Sequence, residues 1–137
     1  MRESWLPAKP ESATRARAFV RDAAVEQGLD GDDAWSLVLA TSEAVSNAIL
    51  HGTPCSKGER GILVRVLHWH EGLCVEVCDC GSFEAAPAPP SREASHGRGI
   101  PIIEAVVDHF EVVPDGPLTR VRFAKRGRRR GRRLAAA

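Results

Sequence analysis

The hydrophobic period of this chain changes near residue 60, and that change limits the folds open to it. Upstream, Ala16, Phe19, Val20, Ala23 and Ala24 recur at three- and four-residue steps, and so do Ala34, Val38, Thr41, Val45 and Ala48. Each set is the buried stripe of an amphipathic helix. The first helix is expected to open at Ser12 as N-cap and to end near Gly28. The second is expected to start near Asp32, with acids where the dipole favours them, and to stop at Gly52. Downstream of a polar loop at 53–60 the period falls to two. Ile62, Val64, Val66, His68 and His70 share one face of a strand, and Leu73, Val75, Val77 and Asp79 continue it on a second. That face is mostly apolar and is expected to pack on the helices.

Glu71-Gly72 reads as the tight turn between these strands, which places position 70 opposite 73 and 68 opposite 75. Asp79 then lies at the inner end of a buried strand, where a carboxylate needs a reason. The other face carries Leu63, Arg65, Leu67 and Trp69 with Cys74, Glu76 and Cys78, more apolar than a solvated face. A second chain would cover it, or else the N-terminal segment or the tail of the same chain.

The chain has 137 residues, room for one domain with a core but not for two. Its 43% hydrophobic and 27% charged residues are those of a globular protein. No run approaches the ~20 apolar residues of a membrane helix, and Met1–Pro7 has no apolar leader core, so a cytoplasmic location is expected. The net charge of +1 is split unevenly. Residues 125–137 hold one Lys and six Arg without an acid, which leaves 12 basic against 18 acidic side chains in 1–124. Residues 1–124 are therefore expected to form the domain and 125–137 a basic, disordered tail. Such a tail is either a solvated end or a contact for polyanions. The acidic body argues against nucleic-acid binding as the main function.

The four cysteines are Cys55, Cys74, Cys78 and Cys80. His68 and His70 fall on the opposite hairpin face from Cys74 and Cys78, and no Cys-x-x-Cys spacing occurs, so the pattern argues against zinc. Without a leader, disulfides are not expected either.

Three stretches carry chemistry. Glu43 and Asn47 lie one turn apart on a helix face, where a carboxylate can orient or deprotonate a nucleophile and an amide oxygen can ligate Mg2+. A surface Glu beside a satisfied Asn is the plainer alternative. Residues 82–96, with Pro87, Pro89 and Pro90, form neither strand nor long helix and are either a lid or a loop without function. His96-Gly97-Arg98-Gly99 then opens an apolar helix with Pro101 in its first turn. Two glycines before a helix N-terminus let backbone N–H groups approach an anion. His109–Val113 and Leu118–Ala124 read as closing strands, with Thr119, Val121 and Phe123 on one face of the last.

Taken in order, these stretches resemble the GHKL superfamily of ATP-binding domains. Glu43-x-x-x-Asn47 matches its N box, Asp79-x-Gly81 its first glycine box and Gly97-x-Gly99 its second. Thr119 on a late strand matches a further position of the nucleotide pocket. The small size and the opening from Leu6 through Val20 look most like the bacterial anti-sigma-factor serine/threonine kinases. The resemblance implies a Bergerat-type two-layer α/β sandwich, with a mixed sheet and helices on one face. ATP would lie between the layers. Asp79 would accept a bond from the adenine amino group, and Gly81 would allow close approach to the base. Asn47 would hold Mg2+, Gly97 and Gly99 would cradle phosphates, Glu43 would be the general base, and Thr119 would support the adenine site. The family commonly has a basic residue before the second glycine box. Here Ser95 and His96 stand there, and Arg98 either substitutes for it at the terminal phosphate or is a solvent-facing turn residue.

By the same resemblance the chain would be a homodimer that sequesters a sigma factor and phosphorylates a serine of an antagonist protein. Two other readings keep the fold: an ATP-binding interaction module without kinase activity, and a catalytic domain detached from a histidine kinase. The second of these is weakened because the chain carries no phosphoacceptor helix pair.

Overall fold

In a computed structural model the residues described are 1–51, 61–79, 99–115 and 118–127. They form β1 (Arg2–Pro7), α1 (Glu11–Gln27), α2 (Gly31–His51), β2 (Gly61–Trp69), β3 (Gly72–Asp79), α3 (Gly99–Val106), β4 (His109–Asp115) and β5 (Leu118–Lys125). The five strands make one sheet in the order β1-β2-β3-β5-β4. All four neighbouring pairs are antiparallel, whereas a mixed sheet was expected. The reason is topological. β3 and β4 do run in the same direction through the α3 crossover, but β5 lies between them and pairs with both.

The helices lie on one face, so the architecture is the two-layer α/β sandwich. α1 packs on α2 and on β1, β2 and β3, while α2 packs on β3, β5 and α3. The helical stripes read from sequence are the buried ones: Ala16, Val20, Ala23 and Ala24 on α1, and Ala34, Val38, Thr41, Val45 and Ala48 on α2. They meet Ile62, Val64, Val66, Leu73, Val75, Val77, Val121 and Phe123 of the sheet in a single core. Phe123 is fully buried, and Phe110 and Val112 of the edge strand β4 pack against its side of the core.

The ends of α1 differ in part from expectation. Gly28 closes it in the left-handed conformation, φ +86°, which glycine takes without steric cost. At the other end Pro10 occupies the cap position and no side chain caps the helix. Ser12 is instead buried inside the first turn, and its hydroxyl donates to the Pro7 carbonyl at 2.5 Å, closing the β1–α1 corner. For α2 the cap is Asp30, whose Oδ1 accepts the Asp33 amide at 3.0 Å.

The β2–β3 hairpin also turns one residue earlier than its sequence suggests. His68 stands opposite Leu73 and Trp69 opposite Gly72, so His70 and Glu71 form the turn and His70 takes φ +51°. Gly72 belongs to the strand because of a close approach. A Cβ there would lie 1.8 Å from the Lys125 carbonyl oxygen. The register differs from the expected one by two residues, an even step, so the inner and outer faces keep their members.

On the outer face this register aligns Glu3, Arg65, Glu76, Arg122 and Glu111 in one row across all five strands. Arg65 bonds Glu3 at 2.7 Å and Glu76 at 3.3 Å, and Arg122 bonds Glu76 at 2.7 Å and Glu111 at 2.9 Å. Glu76, at the centre, is 4% exposed. The outer face is therefore an ion-pair row between two more apolar rows, one with Trp5, Leu63 and Cys78, the other with Leu67 and Cys74. Burial, with Glu76 second, pushes the Cys74 thiol up to about 11 and raises that of Cys78 as well. Both are free thiols, and with their ionisation suppressed they act as packing groups. Among the described residues no cluster of His, Cys, Asp and Glu could hold a metal, and no helix is long and apolar enough to cross a membrane.

Candidate functional site

The end of the sheet away from the β2–β3 turn collects the described candidates. β3 finishes there with Asp79 and β5 begins there, with Asp79 and Thr119 as direct partners in the antiparallel register. Both lie on the inner face, in line with Val77 and Val121. Thr119 is buried and Asp79 half-buried. An acidic and a hydroxyl side chain thus stand side by side at the mouth of an otherwise apolar interlayer space. Such a placement costs free energy unless polar partners compensate it, and it fits a ligand that is flat and apolar with donors at its edge.

The second pair lies on the later turns of α2. Leu29, two residues before this helix, lies beside Gly127 at the turn end of the sheet, and α2 packs on β3, β5 and α3. Glu43 and Asn47 are half-buried on those turns, between the fully packed Ala44, Val45 and Ala48 and solvent. At i and i+4 their Cβ atoms are ~5–6 Å apart. The buried stripe packs the helix here, and Thr41 Oγ1 donates to the Leu37 carbonyl at 2.7 Å. Arg17 of α1 donates to Ser42 Oγ at 3.1 Å, tying the two helices next to Glu43.

Gly99 is the first residue of α3, and α3 packs against α2 through fully buried Ile103. The glycine read as part of a phosphate cradle is thus at a helix N-terminus. Gly81, Gly97 and Arg98 lie outside the described residues, as do the 82–96 segment and Cys55 and Cys80. Of the eight residues singled out from sequence, the structure describes five. It brings Asp79 and Thr119 into register and sets Glu43 and Asn47 one turn apart on the overlying helix.

The donor set suits a magnesium nucleotide. Asp79 can accept a hydrogen bond from an exocyclic amine, the Thr119 hydroxyl can donate or accept, and the Asn47 amide oxygen is a hard ligand. Sequence reading passed over the outer row of ion pairs. Its signal was the Arg65 and Glu76 pair, which a two-residue error in register sets apart.

Comparisons with known proteins bear on the family and the fold. The chain is 29% identical over 129 residues to the serine-protein kinase RsbW of Bacillus licheniformis, with 85% of this chain and 80% of that protein covered. It is 28% identical over 130 residues to the RsbW of Bacillus pumilus, with the same coverage. Among solved structures, the RsbU and RsbW domains of a Mycobacterium tuberculosis protein superpose with a TM-score of 0.69 at 23% identity. That match covers 93% of this chain and 33% of the other. The histidine kinase domain of a blue-light activated kinase from Erythrobacter litoralis gives 0.55 at 18% identity, covering 88% and 61%. At these identities the two structures speak for the fold alone. Residues 6–125 match the histidine kinase-like ATPase domain, and the chain belongs to that family.

Proposed function

We propose that this protein binds ATP with Mg2+ between its two layers and works as an anti-sigma-factor serine/threonine kinase. In this reading it sequesters a sigma factor and phosphorylates a serine of an antagonist protein. The observation that carries the nucleotide part is the register of Asp79 with Thr119 on the inner face of the sheet. The RsbW relatives support the kinase part.

In this site Asp79 accepts from the adenine amino group and Thr119 supports the same edge. Gly81 leaves room for the base. Asn47 holds Mg2+, which when bound neutralises the phosphates and orients the terminal one. Gly97 and Gly99 offer backbone N–H groups at the α3 N-terminus. Glu43 takes the proton from the attacking serine hydroxyl, and Arg98 lies in sequence where it can meet charge on the transferred phosphoryl group. The phosphoryl–oxygen bond to ADP breaks as the new bond to the serine oxygen forms. The active unit is a homodimer in the cytoplasm.

The experiment is incubation of the protein with labelled ATP, Mg2+ and candidate antagonist proteins. Label on an antagonist serine, lost with Glu43→Gln, is the expected result. ATP binding by calorimetry without label transfer to any antagonist would replace the kinase by the ATP-dependent interaction module. Absence of ATP binding would remove the nucleotide site itself.

A further inference from the structure

The turn end of the interlayer space is filled on one side and open on the other. On the β5 side residues 125–127 fill it. Gly127 is buried, and a Cβ on it would come within 2.7 Å of Leu29 Cγ. Asp108 Oδ2 accepts the Arg126 amide at 2.6 Å and holds the strand end in place. On the β1 side a cleft of about 200 Å³ remains between α1 and the sheet. Its floor is apolar and buried. Ala23 of α1, Val66 of β2 and Leu73 of β3 line it, and each is 5% exposed or less. Ala23 presents a single methyl group where a larger side chain would close the layers.

The rim of the cleft is polar. Arg2 stands opposite Val66 in the β1–β2 ladder, which puts it on the inner face of the sheet with Leu6. A guanidinium beside an apolar floor needs a partner. Glu26 of α1 supplies it, in an ion pair that joins the two layers at the mouth of the cleft. This pair stays open to water, with its side chains 41% and 66% exposed. Gln27 and the exposed His68 stand on the same rim.

We propose that this cleft binds a free α-amino acid with an aliphatic side chain, of the size of leucine. Arg2 takes the carboxylate, Glu26 takes the ammonium, and the side chain covers Ala23, Val66 and Leu73. A purely anionic ligand would set its charge against Glu26, and a purely cationic one would do the same to Arg2. A zwitterion complements both. An exposed ion pair is worth little, so parting Arg2 from Glu26 is a small loss, and the ligand replaces one pair by two. The guanidinium can bind a carboxylate through two parallel bonds, which fixes the ligand's orientation. Size limits the choice further. A cavity of ~150 Å³ holds benzene, and drug-sized ligands occupy ~300 Å³ or more. About 200 Å³ lies between these and suits a single amino acid. Six strand steps from Leu73 to Asp79, ~20 Å at the usual rise, separate the cleft from the nucleotide site. The inference therefore stands apart from nucleotide binding.

The test is amide NMR of the full chain titrated with L-leucine, with 4-methylpentanoate, which lacks the ammonium, and with 3-methylbutylamine, which lacks the carboxylate. Leucine should shift the amides of Ala23, Glu26, Val66 and Leu73. Its Kd should be at least ~tenfold below that of either analogue, the lower end of what a bond to a charged group contributes. Glu26→Gln should raise the leucine Kd at least ~tenfold and bring it level with 4-methylpentanoate. Arg2→Gln should bring it level with 3-methylbutylamine in the same way. Thermal melts confirm that both variants are folded, and the comparison of the three ligands on the unaltered chain needs no variant. The proposal is overturned if leucine shifts no amide of the cleft, if either analogue binds the unaltered chain as tightly as leucine, or if leucine affinity is unchanged in the folded variants.

Discussion

Asp79 and Thr119 are cross-strand partners at the open end of the sheet, the carboxylate half-buried and the hydroxyl almost fully so. Their side chains end the inner-face run of Val75, Val77, Val121 and Phe123. If this pair reads the adenine edge, replacing the carboxylate by an amide removes the acceptor the amino group needs and leaves the backbone untouched. Asp79→Asn is expected to weaken ATP binding by ~1.5–3 kcal/mol, the scale of a hydrogen bond to a charged group. Isothermal titration giving the wild-type affinity would take Asp79 out of the adenine site.

Glu43 and Asn47 share a helix face but should separate on substitution. Asn47→Ala is expected to lower the Mg2+-dependent part of nucleotide affinity. Glu43→Gln should keep the nucleotide and lose ~10²–10⁴-fold in phosphotransfer, the usual worth of general-base assistance. Transfer at the wild-type rate by Glu43→Gln would make Glu43 a structural residue.

The parts of this arrangement legible in sequence were those set by parity and period. Side chains alternate along β3, so the inward position of Asp79 followed from that of Val75 and Val77 whatever the register. The helical stripes were legible for the same reason, because one face of each helix is apolar. What the sequence concealed depends on contacts distant along the chain. Gly72 looks like a turn residue, but it serves the passage of residues 125–127, more than fifty positions later. The misplaced turn put Arg65 opposite Cys78 rather than Glu76 and hid the ion-pair row. Ser12 looks like a cap because its type favours that position, yet its hydroxyl is taken by Pro7 on the preceding strand.

That row predicts an uneven response to charge removal. Glu76 is buried and bonded by two arginines, whereas Glu3 at the sheet edge is more than a third exposed. Glu76→Ala should cost ~2–3 kcal/mol, because both guanidinium groups lose a shared, desolvated acceptor. Glu3→Gln should stay within ~0.5 kcal/mol. Urea denaturation of the two variants checks this, and equal losses would refute the central role of Glu76.

The Cys74 thiol gives a pH dependence with a definite sign. Its pKa is raised from 9.0 to about 11, chiefly by burial. The unfolded chain therefore releases this proton first. The stabilising contribution is fully present below pH 9 and is lost as the pH climbs through 11. Over that interval Cys74→Ala should lose less stability than the wild type, by about 2–3 kcal/mol. Parallel denaturation curves at pH 8 and pH 11 test it, and identical losses would mean that the thiol ionises as freely in the folded protein as in the unfolded one.

The β2–β3 turn supplies the last prediction, through two neighbouring residues with opposite expected effects. His70 holds φ +51°, a conformation that costs a side-chain-bearing residue free energy but costs glycine little. His70→Gly should therefore stabilise the protein by ~0.5–1 kcal/mol, the strain relieved less the added freedom of the unfolded chain. Gly72 has no room for a Cβ, since the Lys125 carbonyl oxygen and the Gly127 nitrogen would lie 1.8 and 2.8 Å from it. Backbone on that side must move, so Gly72→Ala should cost ~2–3 kcal/mol and loosen residues 125–127 from Leu29 and Asp108. Thermal melts read the first effect, and faster hydrogen exchange of the Arg126 amide reads the second. A Gly72→Ala variant with wild-type stability and a protected Arg126 amide would show that the close approach of β3 to the chain end is not a constraint on the fold.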